Sequence, residues 1–230
     1  MKPTSPDPVE AERRLRELAE SDGMDVFGIA GVDPLWENQI YLEPKEAFRH
    51  LGRGIVMGHH LSRAVLESVV DAPTLLYKHH YQRVNLLLDR AALRVAGRIQ
   101  SWGHDALPIA ASQLLDWERL LGHLSHRTVA ALAGVGWIGR SNLLVHPEFG
   151  AHVRYVTVLT DLPLEPRAPI AMDCGDCRRC VEICPAQAIG ERKEDFQVRL
   201  CYEKLKQFSS AKGIGVYICG LCVRVCDGTR

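Results

Sequence analysis

The stretch CGDCRRCVEICP, residues 174–185, decides what the last quarter of this chain can be. Its cysteines follow the spacing C-x2-C-x2-C-x3-C-P. The two-residue spacers let one tight loop present three thiolates to neighbouring corners of a metal centre. The longer third spacer and the proline send the fourth thiolate away, at the start of a helix. The stretch therefore predicts a metal-binding segment whose fourth ligand serves a different centre.

The same spacing is the cysteine run of bacterial ferredoxins, in which the fourth cysteine ligates the other cluster of a pair. A second group, C-x17-C-x2-C-x3-C, follows it, with Asp227 in place of the closing proline. Eight thiolates fill two four-cysteine iron–sulfur cubes. The crossed arrangement assigns Cys174, Cys177, Cys180 and Cys226 to one 4Fe-4S cluster, and Cys184, Cys201, Cys219 and Cys222 to the other.

Structural zinc sites and disulfides are the two other uses of cysteine that compete with this interpretation. Structural zinc sites also use C-x2-C pairs, but three cysteines spaced C-x2-C-x2-C before C-P fit zinc poorly. Disulfides are rare in a reducing cytosol, and the clustering of all eight cysteines from Cys174 onward favours metal.

Composition limits the class of protein. Apolar residues make up 47% of the 230 residues, enough for a substantial core, and the formal net charge is zero. Nothing in that balance indicates nucleic acid or an anionic membrane as partner. The first residues lack a secretory apolar region and no apolar run is long enough to span a membrane, so we expect a cytoplasmic protein.

Periodicity predicts an α+β fold. Helices are expected over Pro8–Glu20, within 72–103 and over Ser125–Ala133, and strands at 24–30, 54–58 and 152–162. Leu76 and His80 are placed on the apolar face of the long helix. Residues 161–173 hold three prolines and read as a linker. The predicted domains are therefore an α/β body, 1–165, and a cysteine domain, 166–230.

The segment GVGWIG, residues 134–139, spells the dinucleotide-binding pattern G-x-G-x-x-G. That pattern should follow a strand and open a helix, whereas here a helix precedes it and a strand follows. The sequence leaves two interpretations open. The glycines either form a turn that closes the helix or let the backbone approach a large flat cofactor.

The sequence AGVGWIGRSN, residues 133–142, followed by the two cysteine groups, resembles the epoxyqueuosine reductase family. The similarity covers most of the chain and is strongest over 123–226. The resemblance implies a nitroreductase-like α/β body joined to a two-cluster ferredoxin-like domain. It also implies an oxidoreductase, in which electrons pass through two 4Fe-4S clusters to cobalamin, as also in reductive dehalogenases.

By the same resemblance, cobalamin lies over the glycine stretch. The residues implied to bind it are Gly134, Gly136, Trp137, Ile138, Gly139, Arg140, Ser141 and Asn142. The expected electron donor is a low-potential protein such as ferredoxin or flavodoxin. The alternative function is a non-catalytic electron carrier that delivers electrons to a corrinoid or other partner protein.

Two departures from the family pattern affect these expectations. The family's proton-donor aspartate falls at Leu120, and the nearby His123 and His126 are the candidate replacements, because histidine with its ordinary pKa of about 6.5 donates near neutral pH. The chain also stops at Arg230, without the helical repeats that help the full-length reductase hold tRNA. We therefore expect a substrate or partner other than tRNA.

Overall fold

The computed structural model describes residues 5–211 and 213–229. It divides into two compact units. Unit 1 comprises the described residues through His59, then Asn85–Val135 and Arg154–Ile170. Unit 2 comprises His60–Val84, Gly136–Val153 and the described residues from Ala171 onward. Unit 2 thus contains the cysteine segment together with two stretches from earlier in the chain, and the division of function at about residue 165 stays a prediction.

Helices and strands alternate irregularly, as in a mixed α+β protein. The helices are α1 (Pro8–Ser21), α2 (Lys45–Phe48), α3 (Arg63–Leu66), α4 (Leu75–Ser101), α5 (His126–Leu132), α6 (Arg179–Ile183), α7 (Val198–Ala211) and α8 (Leu221–Arg224). The strands are β1 (Val26–Gly31), β2 (Arg53–His60), β3 (Ala106–Ile109), β4 (Trp137–Ile138), β5 (Leu144–Val145) and β6 (Val153–Thr160). Short 3-10 turns lie at Asp33–Leu35 and Lys193–Asp195.

A four-stranded sheet in the order β1-β2-β6-β3 forms the centre of unit 1. β1 pairs antiparallel with β2, with Val26 opposite Gly58, and β3 pairs antiparallel with β6, with Ala106 opposite Thr160. The β-branched run of β6 is almost wholly buried, as the sequence predicted for a central strand. Helix α5 packs against β1 and so fixes where the glycine stretch begins.

Helix α4 confirms the predicted long helix, and Gly103, at φ +88°, follows its end. One residue of its apolar face was assigned wrongly, because Leu76 is 55% exposed. Tyr77, seven residues before the buried Val84, occupies the buried position instead. The Nε2 of His80 accepts the amide N–H of Ser62 at 3.1 Å.

No helix in the described part of the chain is both long and apolar enough to cross a membrane.

Candidate functional site

All eight cysteines lie in unit 2 and carry free thiols. They are positioned by short helices and the loops beside them rather than by the sheet. Cys174 and Cys177 precede α6, Cys180 lies within it and Cys184 follows its end. Cys201 lies in α7 and Cys222 in α8, and Cys219 and Cys226 lie on either side of α8. Cys177 is exposed and the other seven are partly buried.

The electrostatic neighbours of Cys180 identify one set of four thiols. Burial is the main cause, and the thiolates of Cys226, Cys174 and Cys177 are lesser causes, that together raise the pKa of the Cys180 thiol to about 11. Burial also raises the pKa of Cys226, with contributions from Cys174 and Cys177. Cys226 is therefore close to cysteines that lie about fifty positions earlier in the chain.

The other four thiols form a second set. Burial, and to a lesser extent the thiolates of Cys219 and Cys184, raise the pKa of Cys201 to about 11. Burial raises the pKa of Cys222 as well, and its thiolate neighbours are Cys219, Cys201, Cys180 and Cys184. Because Cys180 belongs to the first set, the two sets adjoin each other at Cys222.

Among the described residues, no group of three His, Cys, Asp or Glu side chains is arranged to hold a single metal ion. The ligands of an iron–sulfur cube surround a body of several atoms, so this finding concerns single-ion sites alone. Two sets of four thiols match the donor number and donor type that such cubes require.

A loop at residues 146–152 holds the C-terminal segment 224–229 in place; together we call them the terminal latch. The amide N–H of Ala151 donates to the carbonyl of Cys226 at 3.1 Å. The amide N–H of Thr229 donates to the carbonyl of Pro147 at 3.0 Å, and the Thr229 hydroxyl donates to the same oxygen at 2.9 Å. Protein hydrogen bonds therefore hold this segment in addition to any ligation by Cys226.

Stacked rings stiffen the terminal latch. The ring of Phe149 stacks on His60, with centroids 4.6 Å apart, and on His146, with centroids 4.8 Å apart. Buried His152 joins the loop to the C-terminal segment, because its Nε2–H donates to the carbonyl of Arg224 at 3.1 Å. Aromatic pairs of this kind add about 0.5–1.5 kcal/mol beyond their buried area.

An ion pair between Arg179 and Asp227 closes the terminal latch against α6. Arg179 Nη1 lies 2.6 Å from Asp227 Oδ2. The backbone and side chain of Arg179 both hydrogen-bond Cys177 and are the main reasons that the pKa of this thiol is lowered. From the sequence, Asp227 is only a replacement for the closing proline, and the ion pair is missed because partners 48 positions apart have no local signature.

The start of the glycine stretch closes helix α5. Gly134 has φ +67°, its N–H donates to the carbonyl of Ala131, and the N–H of Val135 donates to the carbonyl of Ala130. These two bonds are the Schellman pattern, in which glycine takes the left-handed position. The helix-closing interpretation of Gly134 is therefore confirmed.

The later glycines of the stretch serve close packing within unit 2. Trp137 and Ile138 form β4, which pairs with β5. A side chain at Gly136 would overlap the carbonyl oxygen of Val145, and one at Gly139 would lie 3.2 Å from the sulfur of Cys174. Both glycines are thus required by neighbouring protein atoms.

The remaining residues of the stretch join β4 to β5. Ser141 is buried. Asn142 has φ +59°, and its backbone N–H donates to the carbonyl of Gly139 at 2.9 Å. Arg140 hydrogen-bonds loop carbonyls near the cysteines. Trp137 is 6% exposed, and its indole N–H is buried with no hydrogen-bond partner among the described residues.

The two candidate histidines occupy different environments in unit 1. His126 Nε2 donates to the carbonyl of Ala110 at 3.0 Å, and Nδ1 accepts from the hydroxyl of Thr157 at 2.9 Å. Burial lowers its pKa to about 4; part of the residue reaches solvent, but both ring nitrogens are engaged inward. This environment favours a structural role for His126. His123 is more accessible, with Nδ1 3.2 Å from the carbonyl of Tyr41.

Epoxyqueuosine reductases and reductive dehalogenases are among the known proteins similar to this chain. No family model matches it. Epoxyqueuosine reductase from Listeria monocytogenes is 37% identical over 116 residues, which is 47% of this chain and 31% of that protein. The matches span 31%, 40% and 40% of the first three curated relatives, so the chain corresponds to well under half of each.

Solved structures extend the likeness to the whole fold. A catabolic reductive dehalogenase in complex with 3-bromo-4-hydroxybenzoic acid has a TM-score of 0.77 at 19% identity, covering 100% of this chain and 34% of that one. A reductive dehalogenase described for B12-dependent dehalogenation has a TM-score of 0.69 at 18% identity, covering 87% and 31%. Epoxyqueuosine reductase bound to a tRNA-Tyr stem loop has a TM-score of 0.60 at 20% identity, covering 87% and 58%.

The chain is therefore similar in sequence to part of epoxyqueuosine reductase, and it has the fold that epoxyqueuosine reductases and reductive dehalogenases share.

The terminal latch can be tested through Gly150, which has φ +59° and packs against the carbonyl of Cys226. In Gly150→Ala we expect segment 224–229 to exchange its amide hydrogens at least about tenfold faster, since the added methyl group overlaps that carbonyl. Gly103→Ala is the matched control, because Gly103 also has a positive φ but open space around it. Equal exchange of segment 224–229 in both variants would show that Gly150 does not hold it.

Proposed function

We propose that this chain is a cobalamin-linked iron–sulfur reductase in which two 4Fe-4S clusters carry electrons. The observation that carries the proposal is the convergence of eight cysteines into two adjoining sets of four. The run that begins at Cys174 has the ferredoxin spacing, and the late cysteines supply the ligands that such a crossed pair of clusters needs.

The proposed ligands follow the two sets of neighbouring thiols. Cys174, Cys177, Cys180 and Cys226 hold one cluster; Cys184, Cys201, Cys219 and Cys222 hold the other. The terminal latch brings Cys226 to the first set through hydrogen bonds between protein groups. A low-potential protein such as ferredoxin or flavodoxin is the proposed electron donor.

Cobalamin is proposed from the relatives and from one feature of the glycine stretch. Epoxyqueuosine reductases and a B12-dependent dehalogenase are similar to this chain, and residues 134–142 apart from Arg140 are the proposed contact surface. The glycines alone no longer require a cofactor, because protein atoms explain them. The buried indole N–H of Trp137 does call for an acceptor, and a corrin amide would supply one. When bound, cobalamin would supply a strongly reducing cobalt.

The main experiment is anaerobic reconstitution with iron, sulfide and cobalamin, followed by metal analysis and absorption spectroscopy. We expect about eight irons and eight sulfides for two clusters of four, and about one cobalt, with a spectral shift of the bound cobalamin. Stoichiometric zinc without a broad visible band would refute the cluster proposal. Full clusters with unchanged cobalamin spectra would instead favour the electron-carrier function.

That second function, a non-catalytic electron carrier, is favoured by one observation. The position of the family's catalytic aspartate is Leu120, and the adjoining His126 has both ring nitrogens engaged within the protein. A carrier needs clusters and a docking surface but no proton donor.

If the chain is a reductase, His123 is the proposed proton donor. The carbonyl of Tyr41 accepts from Nδ1, so Nε2 is the nitrogen that exchanges a proton with substrate. His123→Gln should lower turnover by roughly 10²–10⁴-fold while cluster and cobalamin contents stay normal, as expected for a lost general acid. His126→Gln is the comparison and should act through stability. Undiminished turnover of His123→Gln would exclude this role.

The tRNA-bound neighbour raises tRNA as a substrate, and the zero net charge of this chain argues against it. We therefore propose a substrate other than tRNA, and absence of tRNA binding at low salt would support that choice.

A further inference from the structure

Arg140 connects the β4–β5 turn to the cysteine loop through its guanidinium group. Nε donates to the carbonyl of Glu191 at 2.6 Å, Nη1 to that of Cys177 at 3.0 Å, and Nη2 to that of Gly175 at 2.7 Å. The three acceptors are 51, 37 and 35 positions away in sequence. Arg140 therefore joins backbone points on the loops before and after α6.

The chemistry of the group suits this position. Guanidinium is planar, always charged, and holds its five N–H donors in a rigid fork, so three carbonyls can be fixed at once. Because all three acceptors are neutral carbonyls, these bonds do not cancel the positive charge. The charge lies beside the first set of cysteines, because Nη1 of Arg140 donates directly to the backbone carbonyl of Cys177.

We propose that Arg140 is a positioning residue for the cluster of Cys174, Cys177, Cys180 and Cys226, not a contact for cobalamin. It holds the loop that carries Cys174 and Cys177 in ligating shape, and its charge makes that cluster easier to reduce. The proposal rests on the clusters of the proposed function. Each reduction transfers one electron from the low-potential donor to the cluster and adds one negative charge, which a nearby cation stabilises.

Two substitutions separate the hydrogen bonds from the charge. Arg140→Gln removes the charge and the fork, whereas Arg140→Lys keeps the charge and loses the fork. Arg192→Gln is the matched control, because Arg192 is exposed on the same unit and its charge is paired with Asp195. The measurements are a redox titration of the reconstituted protein followed by electron paramagnetic resonance, and the rate of iron loss to a chelator.

In Arg140→Gln we expect the reduced-to-oxidised ratio of one cluster to fall about tenfold at a fixed potential, a shift of about 59 mV for one electron. Iron loss should quicken, and the second cluster should change less. In Arg140→Lys the reduction potential of the cluster should stay close to that of the wild type, but iron should still be lost faster. Arg192→Gln should match the wild type in both measurements.

Three different results would contradict this inference. Unchanged potentials and iron loss in Arg140→Gln would overturn the proposal. So would weaker cobalamin binding with both clusters unaltered, because Arg140 would then be a cofactor contact. A wild-type protein without any 4Fe-4S signal would overturn the proposed function and this inference together.

Discussion

The return of the C-terminal segment to the first cysteine loop is the constraint on which the cysteine segment of unit 2 depends. Cys226 must reach Cys180 and its neighbours across about fifty positions of sequence. The terminal latch meets this demand with contacts between protein groups. Backbone bonds from Ala151 and Thr229, the stacked rings around Phe149 and the Arg179–Asp227 pair all hold the same segment. Protein contacts therefore help to place Cys226 beside the first set of cysteines.

The sequence predicts features that depend on local pattern. The long helix, the buried strand β6, the Ser125 cap of α5 and the helix-closing Gly134 all follow from residues within a few positions of one another. Features that depend on distant partners were missed or assigned another role. Gly136 is explained by Val145, and Arg140 by loop carbonyls at least 35 positions away. The exposure of Leu76 shows a further limit, since Tyr77 satisfies the same helical period one position later.

The relatives and the site support different parts of the proposed reductase. The cysteine arrangement supports electron transfer directly, because four-thiol sets that adjoin at Cys222 would keep two clusters close. Cobalamin rests on the likeness to epoxyqueuosine reductase and reductive dehalogenases, together with the unsatisfied indole of Trp137. The glycine stretch, which first suggested a cofactor, instead closes α5, pairs β4 with β5 and makes room for the sulfur of Cys174.

The crossed ligand assignment is the central claim, and Mössbauer spectroscopy of single-cysteine variants tests it most directly. In reconstituted protein, Cys226→Ser and Cys174→Ser should alter the same one of the two cluster components, although these residues lie 52 positions apart. Cys222→Ser, which differs from Cys226→Ser by only four positions, should alter the other component. If Cys226→Ser and Cys222→Ser alter one component while Cys174→Ser alters the other, each cysteine group serves its own cluster and the account is contradicted.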